Sequence, residues 1–101
     1  MPKLYEYFGL IVFFYTNEHE PIHVHGEFQN GHAKAEFFLK EGNIVRIVFS
    51  NVNGKRPLPG YKMKDFRTLV NAKADDIVRR WIEYFVFKKH NKPEIITRKI
   101  K

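Results

Sequence analysis

Ile22-His23-Val24-His25-Gly26-Glu27-Phe28-Gln29-Asn30-Gly31-His32-Ala33-Lys34-Ala35-Glu36-Phe37-Phe38-Leu39 is the stretch on which the fold turns. Asn30-Gly31 tolerates the positive φ angles of a tight hairpin turn, and alternating side chains run away from it on both sides. A turn at these two residues pairs Gln29 with His32, Phe28 with Ala33, Glu27 with Lys34, His25 with Glu36 and Val24 with Phe37. Side chains in a strand alternate between faces, so the register sorts them. Ile22, Val24, Phe28, Ala33, Ala35, Phe37 and Leu39 fall on one face; His23, His25, Glu27, Lys34, Glu36 and Phe38 fall on the other. An apolar set collected on one side is the signature of a half-covered antiparallel sheet.

Working outward, Glu41-Gly42-Asn43 is a second turn. A three-residue loop pairs Leu39 with Val45, Phe37 with Ile47 and Ala35 with Phe49, which sends Val45, Ile47 and Phe49 to the core and Arg46 away from it. A two-residue loop would turn Arg46 inward, so three is the expectation. Toward the N-terminus, Leu4 to Phe8 alternates imperfectly and Gly9 punctuates it. Leu10 to Tyr15 is apolar throughout, as in a central strand covered on both faces. Thr16 to Glu20 reads as a polar loop closed by Pro21.

Past the Asn-, Gly- and Pro-rich connection Ser50 to Gly60, the period changes to helical. Met63, Phe66, Leu69 and Val70 form one stripe; Ala74, Ile77, Val78, Trp81, Ile82 and Phe85 form another, with a bend near Asn71-Ala72-Lys73. Asp75 and Asp76 suit a first turn and Lys88, Lys89 and His90 a last one, before Asn91-Lys92-Pro93 stops the helix. Glu94 to Lys101 is an edge strand or a basic tail. The expected architecture is one α+β domain over residues 1–101. It has a mainly antiparallel sheet of four to five strands in 1–50, then two C-terminal helices in 61–90 packed on one face.

Composition narrows the function classes. The 101 residues leave room for one core, filled largely by ten Phe, five Tyr and one Trp. Without cysteine there is no disulfide framework, thiolate zinc site or cysteine nucleophile. No basic region precedes a long apolar run, so neither a signal peptide nor a membrane span is expected, and the cytoplasm is the expected location. A net charge of +7 favours acidic partners. Lys34, Arg46, Lys55 and Arg56, with Arg79, Arg80 and the aromatic Phe38 or Tyr61, are the candidates for contact with RNA or DNA.

His19, His23, His25 and Glu36 are the one cluster of chemically versatile side chains. Residues two apart in a strand share a face, so His23 and His25 stand side by side, and the register sets Glu36 opposite His25. Two imidazoles and a carboxylate, with His19 from the loop, suit a zinc-like divalent metal or general acid–base catalysis. The plainer reading is packing or an interface. No phosphate loop, catalytic carboxylate pair or Ser/His/Asp arrangement is visible.

Phe8-Gly9 with its apolar strand, followed by Asn17-Glu18-His19-Glu20-Pro21-Ile22-His23-Val24-His25, resembles a family of small bacterial proteins, domain of unknown function 4160. Its members carry an Asn-Asp-His-x-Pro-Pro-His-Phe-His-Val segment; here His19, Pro21, His23 and His25 match, and Ile22 stands in place of the second proline. Trp81 resembles the tryptophan of the family's second helix. The resemblance implies a small bacterial protein with a cognate protein partner, in a family suspected of belonging to toxin–antitoxin modules. The favoured expectation is therefore a module that binds a protein or nucleic acid. A His-based hydrolase or ribonuclease working from His23, His25 and Glu36 is the alternative, and a structural homodimer with a buried histidine face is a third.

Overall fold

The computed structural model describes residues 3–14 and 22–100. His19 and Pro21, with the polar loop that holds them, lie outside the described residues, as do Met1, Pro2, Tyr15 and Lys101.

Three two-residue turns build most of the sheet. β1 (Lys3–Tyr7) and β2 (Leu10–Phe13) meet across Phe8-Gly9, whose φ angles of +48° and +86° match a primed hairpin turn. β3 (Ile22–Phe28) and β4 (Gly31–Lys40) meet across Gln29-Asn30, with Gln29 at φ +53°. β4 and β5 (Asn43–Asn51) meet across Glu41-Gly42, at φ +53° and +81°. β6 (Arg56–Pro57) runs parallel to the start of β4, and β7 (Glu94–Ile96) runs parallel to β1. The path through the sheet is β5-β4-β3-β2-β1-β7, with β6 beside β4.

The sheet is thus larger than four or five strands and not purely antiparallel, because β6 and β7 add short parallel ladders, β7 being the edge strand allowed for after Pro93. Pieces that short carry no readable alternation.

The central hairpin turns two residues' worth of register away from the expected one. Phe28 pairs with Gly31, Glu27 with His32, His25 with Lys34 and His23 with Glu36. Gly31 serves close approach instead of the turn: a Cβ there would lie 2.8 Å from the Pro57 carbonyl oxygen of β6. A two-residue slip preserves faces, so the apolar sorting survives it. The next turn also has two residues, not three. Leu39 pairs with Ile44 and Phe38 with Arg46, leaving Val45 as a bulge, and the expected pairs Phe37–Ile47 and Ala35–Phe49 follow. The bulge keeps Arg46 off the core, while Val45 ends up exposed rather than inside.

Both helices cover the apolar face. α1 (Gly60–Ala72) starts behind Pro59 and buries Lys62, Phe66, Leu69 and Val70; α2 (Ala74–Phe85) buries Ile77, Val78 and Trp81. The break falls at Lys73, at the expected bend. Phe66 sits directly over Gly26, where a Cβ would come within 2.7 Å of its ring, and turns an edge to Phe49 at 5.9 Å. Leu10, Val12 and Phe14 join this core, while Phe13 is buried on the opposite face, so β2 is a central strand as expected. α2 ends at Phe85, short of residue 90; Lys88 takes φ +58° and the Lys89 N–H closes the end onto the Glu83 carbonyl at 2.9 Å. Lys88, Lys89 and His90 therefore lie past the helix rather than in its last turn.

Arg80 ties α2 to both parallel strands. It pairs with Asp76 at 2.9 Å and Glu94 at 3.6 Å, donates to the Leu4 and Lys92 carbonyls at 3.3 and 3.0 Å, and lies over the Tyr5 ring at 5.0 Å. Burial alone would raise the Asp76 carboxyl, but hydrogen bonds from Tyr5 and Arg79 and the two guanidiniums hold it below its usual value. No helix among the described residues is long and apolar enough to cross a membrane.

Candidate functional site

With both helices on the apolar face, the other face of the sheet carries the polar rows. One row crosses Phe13, His25, Lys34 and Ser50 on β2 to β5; the next crosses His23, Glu36 and Val48. Phe38 and Arg46 pair beyond them toward the Glu41-Gly42 turn, and Glu27 and His32 pair on the other side.

The histidines fall where strand alternation puts them. Their ring centroids are 5.2 Å apart at an interplanar angle of 68°, and His25 stacks on Phe13 at 5.7 Å and 20°. His25 is 6% exposed. Burial, and then the nearby charges of His23, Lys34 and His32, draw its pKa down from 6.5 to about 4, so the ring is neutral at neutral pH.

Glu36 does not face His25. The shifted register sets it opposite His23 and places Lys34 opposite His25. An ammonium facing His25 is a poor neighbour for a bound cation. Among the described residues, no three His, Asp or Glu side chains come together in a metal-binding group. Of the proposed metal set, His23, His25 and Glu36 share the face, and His19 lies outside the described residues.

His32 was not among the sequence candidates, although the alternation that delivers Lys34 delivers it too. Its Nδ1 lies 3.6 Å from Glu27 Oε2, across the hairpin.

The cationic candidates separate into two groups. Lys34 and Arg46 share the helix-free face, and the Arg46 guanidinium lies 5.6 Å over the ring of Phe38, itself 39% exposed. Lys55 and Arg56 are exposed in the connection, with Arg56 paired to Gly31 at the start of β4. Among the described residues none of these four is within ion-pair distance of a carboxylate. Arg79 and Arg80 differ: Arg79 pairs with Glu83 at 2.9 Å and with Asp76, and Arg80 is held in the α2–β7 network. Tyr61 stands at the start of α1, edge-on to Phe28 at 6.1 Å, and does not join Phe38.

Residues 9–82 match the family model described as Domain of unknown function (DUF4160). The chain belongs to this family. The DUF4160 match takes in β2 to β6, all of α1 and most of α2, and therefore the whole histidine face. β1 and β7, the parallel pair, fall outside it. No curated protein and no solved structure matches the chain.

Proposed function

We propose that this DUF4160 protein is a nucleic-acid-binding module that lays a single strand across the helix-free face of its sheet. The observation that carries the reading is the placement of uncommitted charge. Lys34 and Arg46 on the helix-free face, and Lys55 and Arg56 in the connection after β5, have no carboxylate partners among the described residues, while the α2 arginines are neutralised within the fold. Phe38 adds an exposed ring with a guanidinium over it on the same face, the combination of stacking surface and phosphate contact that single strands require. The β4–β5 end of this face, where Phe38 and Arg46 are exposed, suits splayed bases better than a duplex, whose grooves admit a helix or ribbon.

The test is titration of a fluorescent single-stranded RNA at several salt concentrations. Each phosphate contact contributes about 0.7 to the slope of log affinity against log salt. The double variant Lys34→Ala/Arg46→Ala should therefore flatten the slope by about 1.4 and weaken binding at low salt. Arg79→Ala should leave both unchanged. Absence of binding at low salt, or a double variant indistinguishable from wild type, overturns the reading.

A further inference from the structure

The two edges of the sheet are guarded differently. β7 closes one side with three residues, a length too short to template another strand. β5 closes the other with nine, Asn43–Asn51. Past the Val45 bulge, Arg46 to Asn51 pairs with β4 in unbroken register, so this part of the edge is regular. It contains no proline, no glycine, no lysine and a single charge, Arg46. Natural edge strands of this length normally carry lysines, prolines or inward charges that deter pairing.

We infer that β5 is the interface of a homodimer, pairing antiparallel with β5 of a second copy about a two-fold axis through Val48, perpendicular to the sheet. The choice of a second copy rests on how the strand matches itself. Centred on Val48, the register sets Val48 against the partner's Val48 on the helix-free face and Ile47 against the partner's Phe49 on the helix face. Arg46 then faces the partner's Ser50. Apolar residues meet at the centre, each Arg46 meets a hydroxyl, and no like charges are opposed. A register centred on Arg46 would oppose two guanidiniums and is disfavoured. A two-fold of this kind keeps both helix pairs on one side. The two helix-free faces then join into one surface bearing two copies of Lys34 and Arg46. The dimer does not depend on the nucleic-acid reading, and either can fail alone.

Sedimentation equilibrium of the tag-free chain, from low micromolar to submillimolar concentration, tests the inference together with two variants. Val48 lies outside the hydrophobic core and on the helix-free face, so Val48→Lys should keep the wild-type melting curve. It should weaken self-association about tenfold or more by opposing like charges across the axis. The chain has no cysteine, so Val48→Cys offers a clean second readout. Opposed strand positions are close enough for a disulfide, and mild oxidation should yield a covalent dimer. Lys64→Cys, exposed on α1, should not cross-link. A wild-type chain that stays monomeric throughout refutes the inference, as does a dimer that Val48→Lys leaves intact. Should Val48→Lys fail to fold, the absence of a Val48→Cys cross-link refutes it instead.

Discussion

At the scale of single residues, His25 joins the sequence motif to a measurable property. Its ring is neutral because the face around it is buried and positively charged, with Lys34 opposite and His23 beside it. The folded pKa of about 4 lies below the unfolded value of 6.5, so between these limits the unfolded chain binds more protons than the native one. Stability is present in full above pH 6.5, falls as the pH drops toward 4, and changes no further from this group below that. After allowance for solvent screening the loss is on the order of 2 kcal/mol. His25→Phe keeps a ring against Phe13 and removes the proton site, so urea unfolding between pH 4 and 7 should show a flatter profile than wild type. Parallel profiles for the two proteins would mean that His25 titrates normally. The alternation of this segment was legible from the chain, but the partner of His25 was not. That identity depended on whether Asn30-Gly31 or Gln29-Asn30 made the turn, and the structure has Gly31 in the strand, against Pro57, a contact between segments far apart in sequence.

At the scale of elements, the strands with period two and the helices with period 3.6 declared themselves; β7 was one of two readings of the segment after Pro93, and β6 was not foreseen. Of the ten residues in the two hydrophobic stripes, Phe66, Leu69, Val70, Ile77, Val78 and Trp81 are buried, while Met63, Ala74, Ile82 and Phe85 are half-buried against them. Lys62 is buried beside them, invisible to a hydrophobic stripe, because its stem crosses apolar surface while its ammonium reaches the Phe8 carbonyl, Asp65 and the Phe28 ring. β7 is held by side-chain chemistry that no periodicity encodes. Arg80, largely buried, spans Asp76, Glu94 and two main-chain carbonyls. Arg80→Ala should cost about 1–2 kcal/mol in urea unfolding, since it removes the donor of the part-buried Leu4 carbonyl together with the links to Asp76 and Glu94. Arg80→Lys should recover little of this, because an ammonium cannot span the same acceptors. A loss below about 0.5 kcal/mol, the level of an ordinary surface change, would show that the network is dispensable.

At the scale of the whole molecule, helices on one side and charge on the other make a two-sided plate. The hydrophobic pattern specified the covered side closely, since a two-residue slip and a bulge both left the apolar sorting in place. It specified the polar side loosely. Polar positions tolerate several neighbours, so the pairings of His23, His25 and Glu36 needed the turn geometry that only the folded sheet supplies. The division of cations was equally hidden: Arg79 and Arg80 look as available in the chain as Lys34 and Arg46 until the carboxylates of Asp76, Glu83 and Glu94 are placed in space.

The parallel pairing of β1 with β7 also fixes an order of events. The β1–β2, β3–β4 and β4–β5 hairpins each close across two residues, but Tyr5 meets Glu94, so that ladder must close a loop of nearly ninety residues. Loop-closure entropy grows with the logarithm of length, a difference of about 3 kcal/mol between the two cases. The meander from β3 to β5 can assemble while most of the polypeptide is still unstructured; the β1–β7 seam can only form last. Native-state hydrogen exchange should accordingly find the amides of β7 opening well before those of β4, and equal protection of the two would contradict this order. A chain that emerges from the ribosome one residue at a time holds β1 beside an empty place until β7 has been made.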